Sequence, residues 1–356
     1  MARAWWWLLA GWSSIALACS ERTEQPSGGA APRCAENPAL VMGTFTGTSL
    51  GPKQLALTFD DGHGSRTMEL ARYLESQGIR AGFFVNGMRL PDHLGVRQGL
   101  VAHGHVIGNH TQDHLDLTST AAFPNSAAGN AALVDQLAET DALIAPFVPA
   151  SRFMFRAPFG AWNARDQQVL SASAMDKYVG HIGWDIGGGR SETFGADWAC
   201  WQDDPKLTTR ACGDLYLNEI EAVGRGIVLM HDADYGDPSN HALDSGVGNT
   251  VDMVKYLVPC LKARGYTFVR VDEVPDIANV LPPLPVDPPP DAGAPDAATR
   301  DAGTPDEGTA DAGSTSTDGG ASSASRPDSP PAAGTTVVPA PDPCAPKDSV
   351  YQRAAH

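Results

Sequence analysis

The sequence predicts an α/β fold, a barrel of about seven strand–helix units, and three observations carry that expectation. Between Cys34 and Ile277, short apolar runs alternate with stretches of helical periodicity, an alternation that means parallel strand pairing. Polar residues able to do chemistry follow the apolar runs in turn: Asp60-Asp61, His110, Arg156, Asp185 and His231-Asp232. A parallel barrel gathers its working loops at one end in this way. The last 75 residues, 282–356, stand apart: they hold 15 of the 28 prolines, 11 acids against 4 bases, and Tyr351 as their only aromatic. Such a tail cannot bury enough apolar surface to offset its conformational entropy and is expected to be disordered.

The elements follow in order. Residues 54–59 (QLALTF) read as a strand ending in Asp60-Asp61-Gly62. In 65–77, Met68, Leu70, Ala71 and Leu74 fall at helical spacing, with Gly78 placed as a C-cap. A strand is expected at 81–85, a helix at 91–102, and a third strand from Val106-Ile107 into Asn109-His110. Residues 130–144 carry Leu133, Leu137 and Ile144 on one helical face. Beyond them come a strand at 152–156, a helix at 163–175, strands at 178–184 and 226–230, a helix at 250–264 and a last strand at 266–271.

Charge and cysteine usage bound the function classes. The formal net charge of −17 argues against nucleic acid, whose binding surface needs a basic excess. Arg3 precedes an apolar run, 4–18, that is shorter than the ~20 residues of a membrane span and suits a secretory signal. Ala16-Leu17-Ala18 forms the cleavage site, and Cys19 after it offers a lipid anchor. Residues 1–18 are therefore assigned to a signal peptide, 19–35 to a tether, 36–281 to the folded domain and 282–356 to the tail, and a monomer is expected. Export puts the cysteines in an oxidising compartment. Cys200 and Cys212 are expected to bridge each other, Cys34 and Cys260 to staple the ends of the domain, and Cys344 to stand alone.

Two short motifs carry chemistry. His110-Thr111-Gln112-Asp113-His114 is an H-x-x-x-H pair; as one helical turn it would put both imidazoles on one face, able to grip a metal. Thr111 stands where a zincin needs its Glu, so a general base must come from another strand. Asp60-Asp61 supplies one. At a strand end followed by Gly62 the backbone can bend both carboxylates toward a pocket, one to bind metal and one to accept a proton.

Taken together, Thr58-Phe59-Asp60-Asp61-Gly62, His110 to His114, Arg156-Ala157-Pro158-Phe159-Gly160 and Leu229-Met230-His231-Asp232 resemble the motifs of the polysaccharide deacetylase family (NodB homology domain, carbohydrate esterase family 4). Phe83-Phe84-Val85 and the run from Gly104 to Asn109 also resemble that family. The resemblance implies a distorted (β/α)7 barrel and metal-dependent hydrolysis of acetyl groups on sugars. It implies Asp61, His110 and His114 as metal ligands, Asp60 as base and His231 as acid. Arg156 would orient Asp60, the backbone N–H of Phe159 would help bind the oxyanion, and Leu229 would line the acetyl pocket. Family members usually carry Tyr at the Phe159 position, a change that a backbone role survives. Asp197 is expected to position Arg156 or His231, with Trp198 as a pocket wall.

The chemistry asks for these residue types in its own right. Amide hydrolysis needs a cation that acidifies water to a pKa of about 7 and polarises the carbonyl, a carboxylate to take the proton, and an acid for the amine. One Asp and two His suit Zn²⁺ and also accept Co²⁺, Mn²⁺ or Ni²⁺. The expected substrate is an acetylated polysaccharide containing N-acetylglucosamine, peptidoglycan or chitin-like. An acetylxylan esterase and a non-catalytic glycan- or metal-binding module are the alternatives, and the second has no use for Asp60 and His231. Trp184, Trp198 and Trp201 are candidates to stack on sugar rings. His63, His93, His103, His105, His181 and His241 are expected to be structural.

Overall fold

A computed structural model describes residues 42–90, 93–283 and Cys344. The expected signal peptide, the tether and the tail apart from Pro282, Pro283 and Cys344 lie outside the described residues. The strands in chain order are β1 (Met42–Phe45), β2 (Gln54–Asp60), β3 (Gly82–Val85), β4 (Val106–Asn109), β5 (Gly180–Ile182), β6 (Gly226–His231) and β7 (Thr267–Phe268). The helices are α1 (Thr67–Ser76), α2 (Leu94–Ala102), α3 (Ala127–Ile144), α4 (Ala164–Ser171), α5 (Asp197–Gln202), α6 (Thr209–Val223), α7 (Thr250–Ala263) and α8 (Pro275–Ala278). None of the described helices is long and apolar enough to cross a membrane.

The sheet is parallel and organised around β2, as the alternating pattern requires. Ladders join β4 to β3, β3 to β2 and β2 to β6. Single parallel bridges, Asn109 with Phe155, Met154 with Val179 and Ile186 with Val228, carry the sheet from β4 back to β6 and close it into a ring. Strand alternation then separates an outer cluster from an inner one, and a third cluster joins α3 and α4 to β1 and Phe155. Leu55, Leu57 and Phe59 pack outward against Leu70 and Leu74 of α1 and Val254 and Leu257 of α7. Ala56, Phe84, Val106, Met154, Val179, Ile182 and Ile227, drawn from every strand position of the ring, form a second cluster that fills the barrel. Val271, Val274, Ile277 and Leu281 belong to the same cluster.

The barrel is irregular at the places where the sequence predicted regular strands. Residues 152–156 form no ladder, only the two bridges and hydrogen bonds to β4, to Val179 and to Ile182 of β5. The last strand shrinks to two residues, which pair with Gln54 and Leu55 below the β2–β3 ladder instead of entering the ring. β1, unforeseen, pairs with β5. Helix α6 was also unforeseen, although its start is capped by the Thr208 hydroxyl and it ends at Gly224 with φ +81°, the left-handed conformation that glycine adopts without strain.

Two cysteine expectations need correction. Cys200 bridges Cys212 as anticipated, but Cys260 pairs with Cys344, not Cys34. Cys344 is buried in the outer core, and its carbonyl accepts a 2.9 Å hydrogen bond from Arg264. Cys344 is thus fastened to α7. The near end of the tail is tied as well, since buried Arg152 donates to the carbonyl of Pro282.

A cross-link of this span restricts the unfolded chain more than the folded one, typically by about 2–4 kcal/mol. Cys344→Ser, or truncation after Leu281, should therefore lower unfolding free energy by about that amount in oxidising denaturant titrations. Reduction should bring wild type and Cys344→Ser together.

Candidate active site

Asp60 is the last residue of β2, and its alternation places it inside the barrel, above Thr58 and Ala56. Its Oδ1 accepts a 2.7 Å hydrogen bond from Arg156 Nη1. Arg156 is fully buried. It also donates to Thr58 Oγ1 (2.9 Å) and to the carbonyls of Ile182 (2.8 Å) and Gly183 (3.1 Å), and lies over the Phe84 ring at 4.3 Å. A buried guanidinium is tolerable only when paired and hydrogen-bonded in this way. Asp60 and Arg156 therefore fix one another.

Asp61 leaves the strand in the left-handed region at φ +67°, which turns its side chain toward the same cavity as Asp60. Such a turn needs room behind it, and Gly62 provides it: a Cβ there would come within 2.3–2.6 Å of the Asp232 carboxylate. Asp61 Oδ1 lies 3.3 Å from His110 Nε2 and 3.2 Å from His114 Nε2. Ligand atoms of these three residues all fall within 4.8 Å of one another. Oδ1 is buried without a hydrogen-bond donor, whereas Oδ2 accepts from Tyr235 Oη at 2.8 Å. Burial alone would raise the Asp61 pKa, but the close approach of His110, with His114 and His231 nearby, holds it well below the usual carboxylate range.

The histidine pair reaches this point by a route different from the predicted one. Residues 110–114 are not a helical turn; Thr111 (φ +67°) and His114 (φ +55°) are both left-handed in a loop. The loop is anchored to α3 by backbone hydrogen bonds from Gln112 and Asp113 to Gln136. Asn109, through its side-chain carbonyl, accepts the Thr111 N–H at 2.9 Å. His110 Nδ1 faces the Arg156 carbonyl at 2.9 Å; a carbonyl only accepts, so Nδ1 carries the proton and Nε2 keeps its lone pair for a metal.

Across the cavity, His231 ends β6. Its Nδ1 lies 2.7 Å from Asp197 Oδ1, and its backbone N–H donates to Asp197 Oδ2. Asp197, at the start of α5, is fully buried and also accepts from Thr250 Oγ1 at 2.7 Å. Of the two partners left open for Asp197, the geometry selects His231. Burial works against the imidazolium, but Asp197 outweighs it and lifts the pKa of His231 to about 9, so His231 is a proton donor at neutral pH.

The remaining expectations divide. Leu229 is two residues before His231 on β6 and so faces the same side. Phe159 sits at the mouth with φ +59°, its ring 69% exposed and edge-on to His114 at 4.6 Å. Trp198 is exposed beside Asp197. Trp201 cannot stack on a sugar, because it is buried and its indole N–H donates to Thr250. Asp185 stands outside the site, accepting the backbone N–H groups of Gly47 and Ile227. His105 and His181 are structural, each accepting a backbone N–H at 3.0 Å. Sequence reasoning missed Tyr235 and gave Asp232 no role. Burial pushes the Asp232 carboxyl up to about 7, and it accepts from Thr67 Oγ1 at 2.6 Å. Neither had a spacing signal, since each acts by contact with a residue more than 160 positions away.

Residues 47–177 match the family model for polysaccharide deacetylase. The chain is similar to the polysaccharide deacetylase family over that stretch. It is a hydrolase of the deacetylase class, acting on carbon–nitrogen bonds outside peptides. It is 28% identical over 219 residues to the chitooligosaccharide deacetylase of Rhizobium leguminosarum bv. trifolii, covering 60% of this chain and 88% of that one. Similarity to the chitin deacetylase of Pestalotiopsis sp. is 27% over 238 residues, covering 65% and 67%. The solved chitin deacetylase of Colletotrichum lindemuthianum is 25% identical, with a TM-score of 0.46, covering 63% of this chain and 87% of that one.

The His231–Asp197 pair gives a directional test in this deacetylase. Activity that uses protonated His231 falls as pH rises through its pKa. Asp197→Asn removes the charge that raises that pKa, so the alkaline limb of kcat/KM should move to lower pH by about 1–3 units. A limb that stays in place would mean that another group supplies the proton.

Proposed function

We propose that this chain removes N-acetyl groups from an N-acetylglucosamine-containing glycan, peptidoglycan or chitin-like, with the help of a divalent cation. The observation that carries the reading is the convergence of Asp61 Oδ1, His110 Nε2 and His114 Nε2 around a buried carboxylate oxygen that has no donor. Asp60 lies beside that cluster, 3.7 Å from His110 Nε2, and His231 comes in from the neighbouring strand. One carboxylate and two imidazoles fit Zn²⁺, and Co²⁺, Mn²⁺ or Ni²⁺ suit the same donors. When bound, the cation polarises the acetyl carbonyl and acidifies the attacking water.

The protein's own groups do the rest. Asp60, kept in place by Arg156, takes a proton from the water as its oxygen bonds to the acetyl carbon. The Phe159 backbone N–H serves the developing oxyanion, while Leu229 and Trp198 bound the acetyl methyl. His231 delivers its proton to the amine nitrogen as the carbon–nitrogen bond breaks, releasing acetate and a free amine. An amine leaving group needs that proton far more than an alcohol does, which favours amides over acetylxylan-type esters. A glycan- or metal-binding module would have no use for the Asp60–Arg156 and His231–Asp197 pairs. The names of the two curated relatives, which act on chitooligosaccharide and chitin, support the N-acetylglucosamine class. Export, with a lipid anchor at Cys19, is proposed from residues 1–19 and suits the two disulfides.

Acetate release from a panel of N- and O-acetylated glycans tests the substrate class, with chelation expected to abolish release and Zn²⁺ or Co²⁺ to restore it. Full activity after exhaustive chelation would refute the metal reading. Measured beside turnover, metal content separates the carboxylates. Asp60→Asn should keep its metal and lose about 100-fold or more in rate, while Asp61→Asn should lose metal first.

A further inference from the structure

The second oxygen of Asp61 does not face the histidines. Tyr235 Oη donates to it at 2.8 Å, and the Tyr235 ring lies edge-on to His231 with centroids 5.6 Å apart. A carboxylate with both oxygens free can rotate, close both over a cation, or swing toward the His231 imidazolium across the cavity. The tyrosine closes those options with a neutral donor, leaving a single oxygen aimed at His110 and His114. We propose that Tyr235 is a positioning residue of the metal site: it holds Asp61 as a one-oxygen ligand. This rests on the reading of Asp61 as a ligand given above.

The loop that carries Tyr235 is built to hold it still. One residue before it, Asp234 accepts hydrogen bonds from the Ser65 backbone N–H (2.9 Å) and hydroxyl (2.8 Å) at the entry to α1. One residue after it, Gly236 bridges to Asn249. Asn249 caps α7 and receives Arg66 Nη1 at 2.9 Å. The hydroxyl that meets Asp61 is therefore fixed from both sides in the chain. Partners that orient a ligand in this manner are typically worth about 10–100-fold in metal affinity.

Zn²⁺ titration of the apoprotein against a chromophoric competitor, with visible spectra of the Co²⁺ form, tests the assignment in three proteins. Asp61→Asn should abolish stoichiometric binding. Tyr235→Phe, which keeps the ring and removes only the hydroxyl, should bind Zn²⁺ about 10-fold more weakly and alter the Co²⁺ ligand-field bands, with unchanged melting of the apoprotein. Wild-type affinity and spectrum in Tyr235→Phe, alongside metal loss in Asp61→Asn, would overturn the role of Tyr235 and leave the metal reading standing. Wild-type affinity in Asp61→Asn would instead remove the ligand assignment itself.

Discussion

The site depends on one buried ion pair. Arg156 has no exposed surface, and its guanidinium is spent on Asp60, Thr58 and two carbonyls at the end of β5 while it stacks on Phe84. The cost of burying that charge is offset by these partners, the Asp60 carboxyl first among them. The same residue acts through its backbone, because the Arg156 carbonyl fixes the proton of His110 on Nδ1. Asp60 and His110, the proposed base and one of the proposed metal ligands, are therefore oriented by one residue, on a segment that closes the barrel through single bridges.

Around this pair the barrel distributes its polar residues by strand parity. On β2, odd positions from Leu55 to Phe59 face the helices, and Ala56, Thr58 and Asp60 face inward. On β6, Val228 and Met230 face the helices, so Leu229 and His231 face the cavity. Two inward charges of opposite sign, Asp60 and His231, then pair in register across adjacent strands, each held by its own counter-charge, Arg156 or Asp197. That separation would let the proposed base and the proposed acid face one cavity from adjacent strands, each held by its own partner.

The Asp61–His110–His114 cluster is arranged differently, by backbone conformations that side chains rarely favour. Asp61, Thr111 and His114 all have positive φ, and such positions persist only where the surroundings over-determine them. Here the surroundings are Gly62 against Asp232, α3 against the histidine loop, and Tyr235 against Asp61.

The fold class, the parallel order and the inward parity of β2 and β6 follow from local apolar periodicity, so the sequence alone determined them. Asp60, Asp61, His110, His114 and His231 were also legible as candidates, because they follow apolar strands in order and match the motifs that the sequence resembles. Three matters belonged to the tertiary structure. The histidine loop is not helical, since its shape comes from α3 and Asn109 instead of its own propensity. Cys260 pairs with Cys344 and not with Cys34, a partner 84 positions away that spacing does not record. Asp197 took His231, and Tyr235 and Asp232 joined the site, through contacts between residues far apart in the chain. Periodicity records which face a residue presents to its own element; it carries no information about which distant side chain will meet it there.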